Sequence, residues 1–137
     1  MRNTIALAGI ALGMIWAQGA ASVWDGVYSA EQARRGEGLY RQECASCHGE
    51  KLEGRGQAPP LMGADFMMDW NGMTVGDLFE KMQTSMPADK PGQLSREQNA
   101  ALLAFLLSAN KFPAGAADVP TDGERLRLIR FEEAKRN

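Results

Sequence analysis

Five consecutive residues, Cys44-Ala45-Ser46-Cys47-His48, contain both cysteines and the single histidine of this 137-residue chain. In a helical turn, residues three and four apart lie on one face, so Cys44, Cys47 and His48 project to the same side. A flat ring laid against that face can be bonded at its edge by both sulfurs, while the imidazole meets a metal at the ring's centre. This motif therefore restricts the fold and the chemistry more than any other part of the sequence.

Four interpretations of the motif make different demands on the rest of the chain. A structural zinc site needs four ligands, usually Cys and His, and the chain has only three such side chains. A thioredoxin-like redox pair needs a strand–helix context, and no strand pattern precedes Cys44. A disulfide stays open but leaves His48 unexplained. C-x-x-C-H is the signature of c-type haem attachment, in which Cys44 and Cys47 form thioethers and His48 binds the iron.

The haem interpretation requires a ligand on the far side of the iron. The chain has no second histidine, so methionine is the natural candidate, as in haem proteins with Met/His ligation. Met86 is preferred because it lies in a loop between two expected helices, beside Pro87, which restricts the backbone. Met82 is the alternative, although its expected place is on a helix. The other methionines after the leader are read as packing residues: Met62, Met67, Met68 and Met73.

A histidine that binds a metal usually donates its other ring N–H to a carbonyl. The Pro59-Pro60 segment follows His48 by eleven to twelve residues and can supply such a carbonyl by looping back. The alternative is that these prolines simply belong to an irregular loop.

The N-terminus has the build of a secretory signal peptide, which we place at residues 1–21. One positive charge, Arg2, precedes an apolar stretch from Ile5 to Ala17, and small residues follow. Cleavage after Gly19 or, preferably, after Ala21 is expected, and an uncleaved anchor is the alternative. No other apolar run reaches the roughly 20 residues needed to span a membrane. The expected location is the periplasm.

Capping boxes predict where the helices begin. Ser29-x-x-Gln32 predicts a helix over about 30–46, and Ser95-x-x-Gln98 predicts the clearest helix, over about 96–109. Thr74-x-x-Asp77 predicts a short helix between them.

The remaining segments are read as irregular. Residues 49–73 are rich in Gly and Pro and are expected to form a loop. Residues 123–135 are amphipathic and are expected to form a final helix or an extended strap. No strand pattern is found. We therefore expect an all-α domain over 22–122 followed by a tail at 123–137.

Taken together, the motifs make the chain resemble the class I c-type cytochromes. R-G-E-G-L-Y precedes C-A-S-C-H-G, and P-P-L-M-G, S-M-P and L-L-A-F-L-L follow in order within residues 30–112. The resemblance implies that N- and C-terminal helices cross around a haem in an apolar crevice. It implies that the Pro59 carbonyl holds His48, that Leu61 packs on the haem and that Met86 is the axial methionine.

The same resemblance assigns residues to the helix crossing. Gly36 and Tyr40 match the glycine and aromatic of the first helix, and Leu102 and Phe105 match the apolar–aromatic pair of the last. A finer similarity to small single-haem cytochromes found beside bacterial periplasmic dehydrogenases comes from the W-D-G-V-Y and N-K-F-P-A-G-A-A segments. The long loop 63–73 departs from the mitochondrial pattern. Its Trp70 is read either as a haem propionate contact or as packing.

The resemblance implies one covalent haem c per chain and an electron carrier rather than an enzyme. The partners implied are a donor dehydrogenase and an acceptor oxidase or another cytochrome, met in small, transient contacts. Cationic residues are scattered and the net charge is −2, so nucleic acid and strongly acidic partners are not expected. Two alternatives stay open: a fixed haem subunit of a dehydrogenase or oxidase complex, and a haem enzyme or sensor if the Met86 ligand is labile.

Overall fold

The computed structural model describes residues 21–135. Apart from Ala21, the leader assigned to residues 1–21 lies outside the described residues. None of the helices within the described range is both long and apolar enough to cross a membrane. That range contains helices α1 (Ala30–Glu43), α2 (Ala45–His48), α3 (Gly63–Trp70), α4 (Val75–Ser85), α5 (Arg96–Ala109) and α6 (Gly123–Leu126), and strands β1 (Ala21–Ser22) and β2 (Ile129–Arg130).

The first and fifth helices form the central contact of the fold. A Cβ built on Gly36 of α1 would lie 1.8 Å from the carbonyl oxygen of Ala101 and 2.9 Å from Cβ of Phe105, both on α5. The two helix backbones therefore touch at a point where only glycine fits. The mostly helical fold with crossing terminal helices is confirmed.

Two of the three predicted capping boxes are complete, at Thr74 and at Ser95. At the start of α1, Ser29 Oγ accepts the expected hydrogen bond from the Gln32 amide, at 3.1 Å. The Gln32 side chain does not return to Ser29, however. It is buried and bonds both backbone groups of Val119, accepting from the N–H at 2.7 Å and donating to the carbonyl at 3.3 Å. The Gln32 side chain, which would have completed the capping box at Ser29, therefore holds the segment around Val119 instead.

Three sequence-based expectations of secondary structure were wrong. The first helix ends at Glu43 rather than 46, because Cys44 leaves helical geometry and the Cys–His turn begins anew as α2. The loop expected over 49–73 contains α3, which has no side-chain cap and is held instead by the burial of Phe66 in the core. Two short strands also pair in parallel, with Ala21 opposite Ile129.

Residues 123–131, here called the strap, continue the core after α5. Leu126 and Phe131 are completely buried and Ile129 nearly so. The ring of Phe131 lies 5.8 Å from that of Phe66 and 6.3 Å from that of Phe112. The strap begins as the single turn α6 and ends as β2, so it is helical first and extended afterwards.

Replacing Gly36 with alanine is expected to lower the free energy of unfolding by about 1–3 kcal/mol, because the added methyl overpacks the α1–α5 contact. Gly38 lies two residues on in the same helix, and a Cβ there meets nothing within 4 Å. Gly38→Ala should therefore stabilise the protein by about 0.5–1 kcal/mol through the entropy of the unfolded chain. Urea unfolding of both variants checks this, and equal effects would contradict the close approach.

The cap of α4 should make stability depend on acid pH. The Thr74 N–H and hydroxyl both donate to Asp77 Oδ2 at 2.8 Å, which holds the pKa of Asp77 below its ordinary value of 3.8. A lowered pKa in the folded state means that this stabilisation is full above about pH 4 and is lost as the pH falls through the lowered value. Asp77→Asn should cost roughly 0.3–1.5 kcal/mol near neutral pH. Thermal unfolding as a function of pH should show this difference shrinking in acid, and a pH-independent difference would contradict it.

Candidate haem site

The Cys–His motif forms one helical turn at the end of α1. The amides of Cys47 and His48 both donate to the Cys44 carbonyl, at 3.2 and 2.9 Å. Cys44 is half-buried, Cys47 is exposed and His48 is buried. Both thiols are free, so the disulfide that the sequence left open is not formed. The turn thus carries two thiols that can bond the edge of a flat ring and one imidazole that can bind a metal at the ring's centre.

The Cys44 thiol is not poised for thiol–disulfide exchange. Its burial, with smaller contributions from Glu43 and Cys47, raises its pKa to about 11. Reactive redox cysteines have lowered pKa values, because the thiolate is the nucleophile. This environment disfavours the redox-pair interpretation of the motif.

His48 is oriented by a backbone carbonyl. Nδ1 of His48 lies 2.8 Å from the carbonyl oxygen of Pro59. Because a carbonyl only accepts, Nδ1 carries the hydrogen of this bond, which leaves Nε2 as the ring nitrogen available to a metal. Such a hydrogen bond fixes the tautomer and ring orientation and raises the basicity of the ligating nitrogen.

The loop after His48 returns Pro59 to the ring through backbone hydrogen bonds. The Gly54 amide donates to the His48 carbonyl at 2.7 Å, and the Leu61 amide donates to the Leu52 carbonyl at 3.0 Å. Gly54 has φ +79°, and a Cβ there would lie 2.7 Å from N of Pro60. The tight loop therefore depends on a glycine at this position.

Tyr40 secures the same loop from α1. Its hydroxyl donates to the Gly49 carbonyl at 2.6 Å, and its ring lies 5.2 Å from that of Phe105. Burial, together with Cys44 and Glu53, raises the pKa of Tyr40 to about 12, so the phenol stays a donor. Sequence reasoning matched Tyr40 only as an aromatic of the helix crossing. The signal in the sequence for this second role is the tyrosine hydroxyl, which needs a hydrogen-bond partner when it is buried.

Asn110 joins the end of α5 to the segment that carries Leu61. Its amide nitrogen donates to the carbonyls of Leu61 and Leu106 at 3.0 and 2.8 Å, and its side-chain oxygen accepts from the Gly63 amide at 2.9 Å. Leu61 is half-buried against the core. The sequence indicated Asn110 only as a helix stop, because its partners lie 47 and 49 residues away.

The two candidate methionines have different surroundings. Met82 is buried within the core cluster. Met86 follows α4 as its C-terminal cap, with its amide bonded to the Met82 carbonyl at 3.1 Å, and is half-buried. A thioether at a helix end can reach a metal more easily than a thioether that is packed in the core. Trp70, the other open assignment, packs against Phe66 and Phe131, at 6.5 and 6.3 Å between ring centroids.

The chemistry of these side chains fits a haem better than a bare ion. Within residues 21–135, no group of three or more His, Cys, Asp or Glu is placed to hold a metal ion. A metal at His48 would therefore need additional ligands of its own, which the four nitrogens of a porphyrin supply. Cys44 and Cys47 are the residues that would bond the ring, and His48 is the residue that would bind the iron.

Tyr40→Phe should loosen the Cys–His turn, because it removes the hydroxyl that holds Gly49. Loss of a hydrogen bond to a buried group is expected to cost about 1–2 kcal/mol of unfolding free energy. Tyr28→Phe is the matched control, since Tyr28 also donates one 2.6 Å hydrogen bond to a carbonyl, that of Phe112. Hydrogen exchange of the Gly54 amide should accelerate more in Tyr40→Phe than in Tyr28→Phe, and equal rates would contradict a specific role for Tyr40.

Comparisons with known proteins bear on the family and the fold of this chain. The family model described as "Cytochrome C oxidase, cbb3-type, subunit III" matches residues 31–106. No curated protein gives a significant match. The crystal structure of the sulfane dehydrogenase SoxCD from Paracoccus pantotrophus has a similar fold, with a TM-score of 0.51 at 24% sequence identity. That match covers 78% of this chain and 61% of the other, so this chain spans less than two thirds of its length.

The segment matched by the family model covers more than half of the chain and includes the whole Cys–His turn. The fold, the turn and the family match lead to one assignment: the chain belongs to this family of class I c-type cytochromes, proteins of haem-based electron transfer.

Proposed function

We propose that the chain is an exported one-electron carrier with one covalent haem c. Cys44 and Cys47 form the thioether bonds, and His48 and Met86 are the axial ligands. The observation that carries the proposal is the 2.8 Å contact between His48 Nδ1 and the Pro59 carbonyl, which fixes the imidazole with Nε2 free on the same turn as both thiols. The leader, residues 1–21, directs the chain to the periplasm and is removed there, which leaves Ser22 of β1 paired with Arg130.

When bound, the haem supplies an iron that cycles between the ferric and ferrous states. His48 would hold the iron on one side, and the hydrogen bond to Pro59 keeps its imidazole from rotating. Met86 would hold the iron on the other side with its thioether, a ligand that favours the ferrous state. Leu61 supplies an apolar wall that excludes water. If His48 and Met86 both hold the iron, no site is left for a substrate, and the group would carry electrons rather than catalyse bond-making.

The site surroundings favour electron transfer with little movement. The loop that carries Pro59 is tied to α1 through Tyr40 and to α5 through Asn110. These hydrogen bonds involve groups whose charge does not change with the redox state. The same residue positions can therefore serve the oxidised and the reduced protein.

The exposed side of the Cys–His turn supports transient docking of redox partners. Cys47 is exposed and Cys44 half-buried, so the bonded edge of the ring would lie near the surface. Several arginines are paired with acids on the protein itself: Arg35 with Asp118, Arg41 with Glu37 and Arg127 with Glu80. We propose a donor dehydrogenase and an acceptor oxidase or another cytochrome as partners, without strong electrostatic steering.

A fixed subunit of a dehydrogenase complex is the second candidate. It is favoured by the similarity in fold to a chain of SoxCD, which is itself named a dehydrogenase. Gel filtration of the protein purified from its native host separates the two: a carrier elutes as a single small haem protein, whereas a subunit elutes with a stoichiometric partner.

The ligand set is tested by the absorption spectrum of the ferric protein exported from a host that matures c-type haem. Sulfur-to-iron charge transfer gives a weak near-red band when methionine ligates. We expect this band in the wild type and in Met82→Leu, and its complete loss in Met86→Ala together with a lower reduction potential, since methionine ligation raises the potential. A wild-type protein that lacks the band and binds added imidazole as readily as Met86→Ala would contradict the carrier assignment.

A further inference from the structure

The strap, residues 123–131, lies outside the segment matched by the family model and is not explained by the family assignment. It contacts the part of the chain that runs from α3 into α4, between His48 and Met86 in sequence. Its buried side chains, Leu126, Ile129 and Phe131, are part of the same core cluster as these helices. The strap is therefore placed to affect how α4 presents Met86.

The strap lies directly against one face of α4. A Cβ built on Gly76 would lie 2.6 Å from Cγ and 2.8 Å from the backbone nitrogen of Arg127. One turn further along the helix, Glu80 pairs with the Arg127 guanidinium at 2.7 Å. Residues four apart share a helix face, so Gly76 and Glu80 together define the face of α4 that the strap covers.

The strap also fixes the connection that leads into α4. The Phe131 amide donates to the Met73 carbonyl, and the Gly72 amide donates to the Phe131 carbonyl, both at 2.9 Å. The Arg130 guanidinium donates to the Gly72 carbonyl at 2.7 Å. The start of α4 is therefore tied to the strap by backbone hydrogen bonds, and its first turns by close packing.

A change in the tilt of α4 at the end bound by the strap would displace Met86 at the other end. Ten residues separate Gly76 from Met86, which corresponds to about 15 Å along a helix axis. A tilt of about 4° at the anchored end moves the far end by about 1 Å over that length. Displacements of this size are enough to disturb a ligand site whose geometry must be held within about 0.5 Å.

We propose that the strap is a positioning element that keeps α4, and with it Met86, in the orientation needed for axial ligation. Its residues act through α4, whose face at Gly76 and Glu80 they cover. This inference rests on the proposed Met86 ligation.

The test uses full-length holoprotein exported from a maturation-competent host, with Gly76→Ala as the principal variant. The added methyl must push Arg127 away from α4. We expect the near-red band to weaken and the binding of added imidazole to the ferric protein to become about tenfold faster, which corresponds to a barrier lowered by about 1.4 kcal/mol. Phe131→Leu, which removes the ring contacts with Phe66 and Trp70, should act in the same direction and replaces Gly76→Ala if that variant does not fold.

Two controls separate positioning from general loss of stability. Gly123→Ala adds a methyl on the strap itself, where it would lie 3.5 Å from the Arg127 guanidinium in ordinary contact, and should leave imidazole binding unchanged. Gly36→Ala destabilises the α1–α5 contact away from the strap and should lower the melting temperature without accelerating imidazole binding.

If the wild type shows the near-red band but the strap variants bind imidazole at the wild-type rate, the positioning role is overturned and the Met86 ligation is not. The positioning role is also overturned if Gly36→Ala and Gly76→Ala lower the melting temperature equally and accelerate imidazole binding equally. General loss of stability would then explain both effects. Absence of the band in the wild type would instead remove Met86 as a ligand, and the strap proposal would fall with it.

Discussion

The backbone contact between Gly36 and Ala101 is the constraint on which the rest of the structure depends. It sets the distance between α1 and α5, and the ends of these helices deliver the site. Helix α1 ends directly before Cys44, and α5 ends at Asn110, whose amide binds the Leu61 segment. The bond from Tyr40 to Gly49 then joins the crossing to the loop that returns Pro59 to His48. Helices α1 and α5 thus carry the Cys–His turn and hold the Leu61 segment, whereas Met86 follows α4.

Local signals in the sequence were enough to predict the helices that begin with a cap. Ser95 and Thr74 form complete capping boxes, and Ser29 forms only half of one because the Gln32 side chain bonds Val119 instead. Helix α3 was missed because Met62, the residue before it, contributes no side-chain cap, and the helix is held by burial of Phe66. The β1–β2 pairing was missed because two residues per strand carry no readable alternation.

The candidate site shows the same division between local and distant information. The spacing of Cys44, Cys47 and His48 is a local pattern, and the family resemblance supplied Pro59, Leu61 and Met86. The hydrogen bonds of Asn110 join residues 47 and 49 positions apart, which no local pattern encodes. Polar side chains with several partners, such as tyrosine and asparagine, become informative only after the chain has brought those partners together.

The contact between the two ends of the described chain affects how the protein folds. The indole of Trp24 donates to the Glu132 carbonyl across 108 residues, next to the paired strands β1 and β2. Contacts of such large sequence separation carry the full entropy of closing the intervening chain, and they form slowly for that reason. Because this closure entropy is repaid only as α1, α4 and α5 pack between the two ends, we expect the Trp24–Glu132 contact to form late in folding.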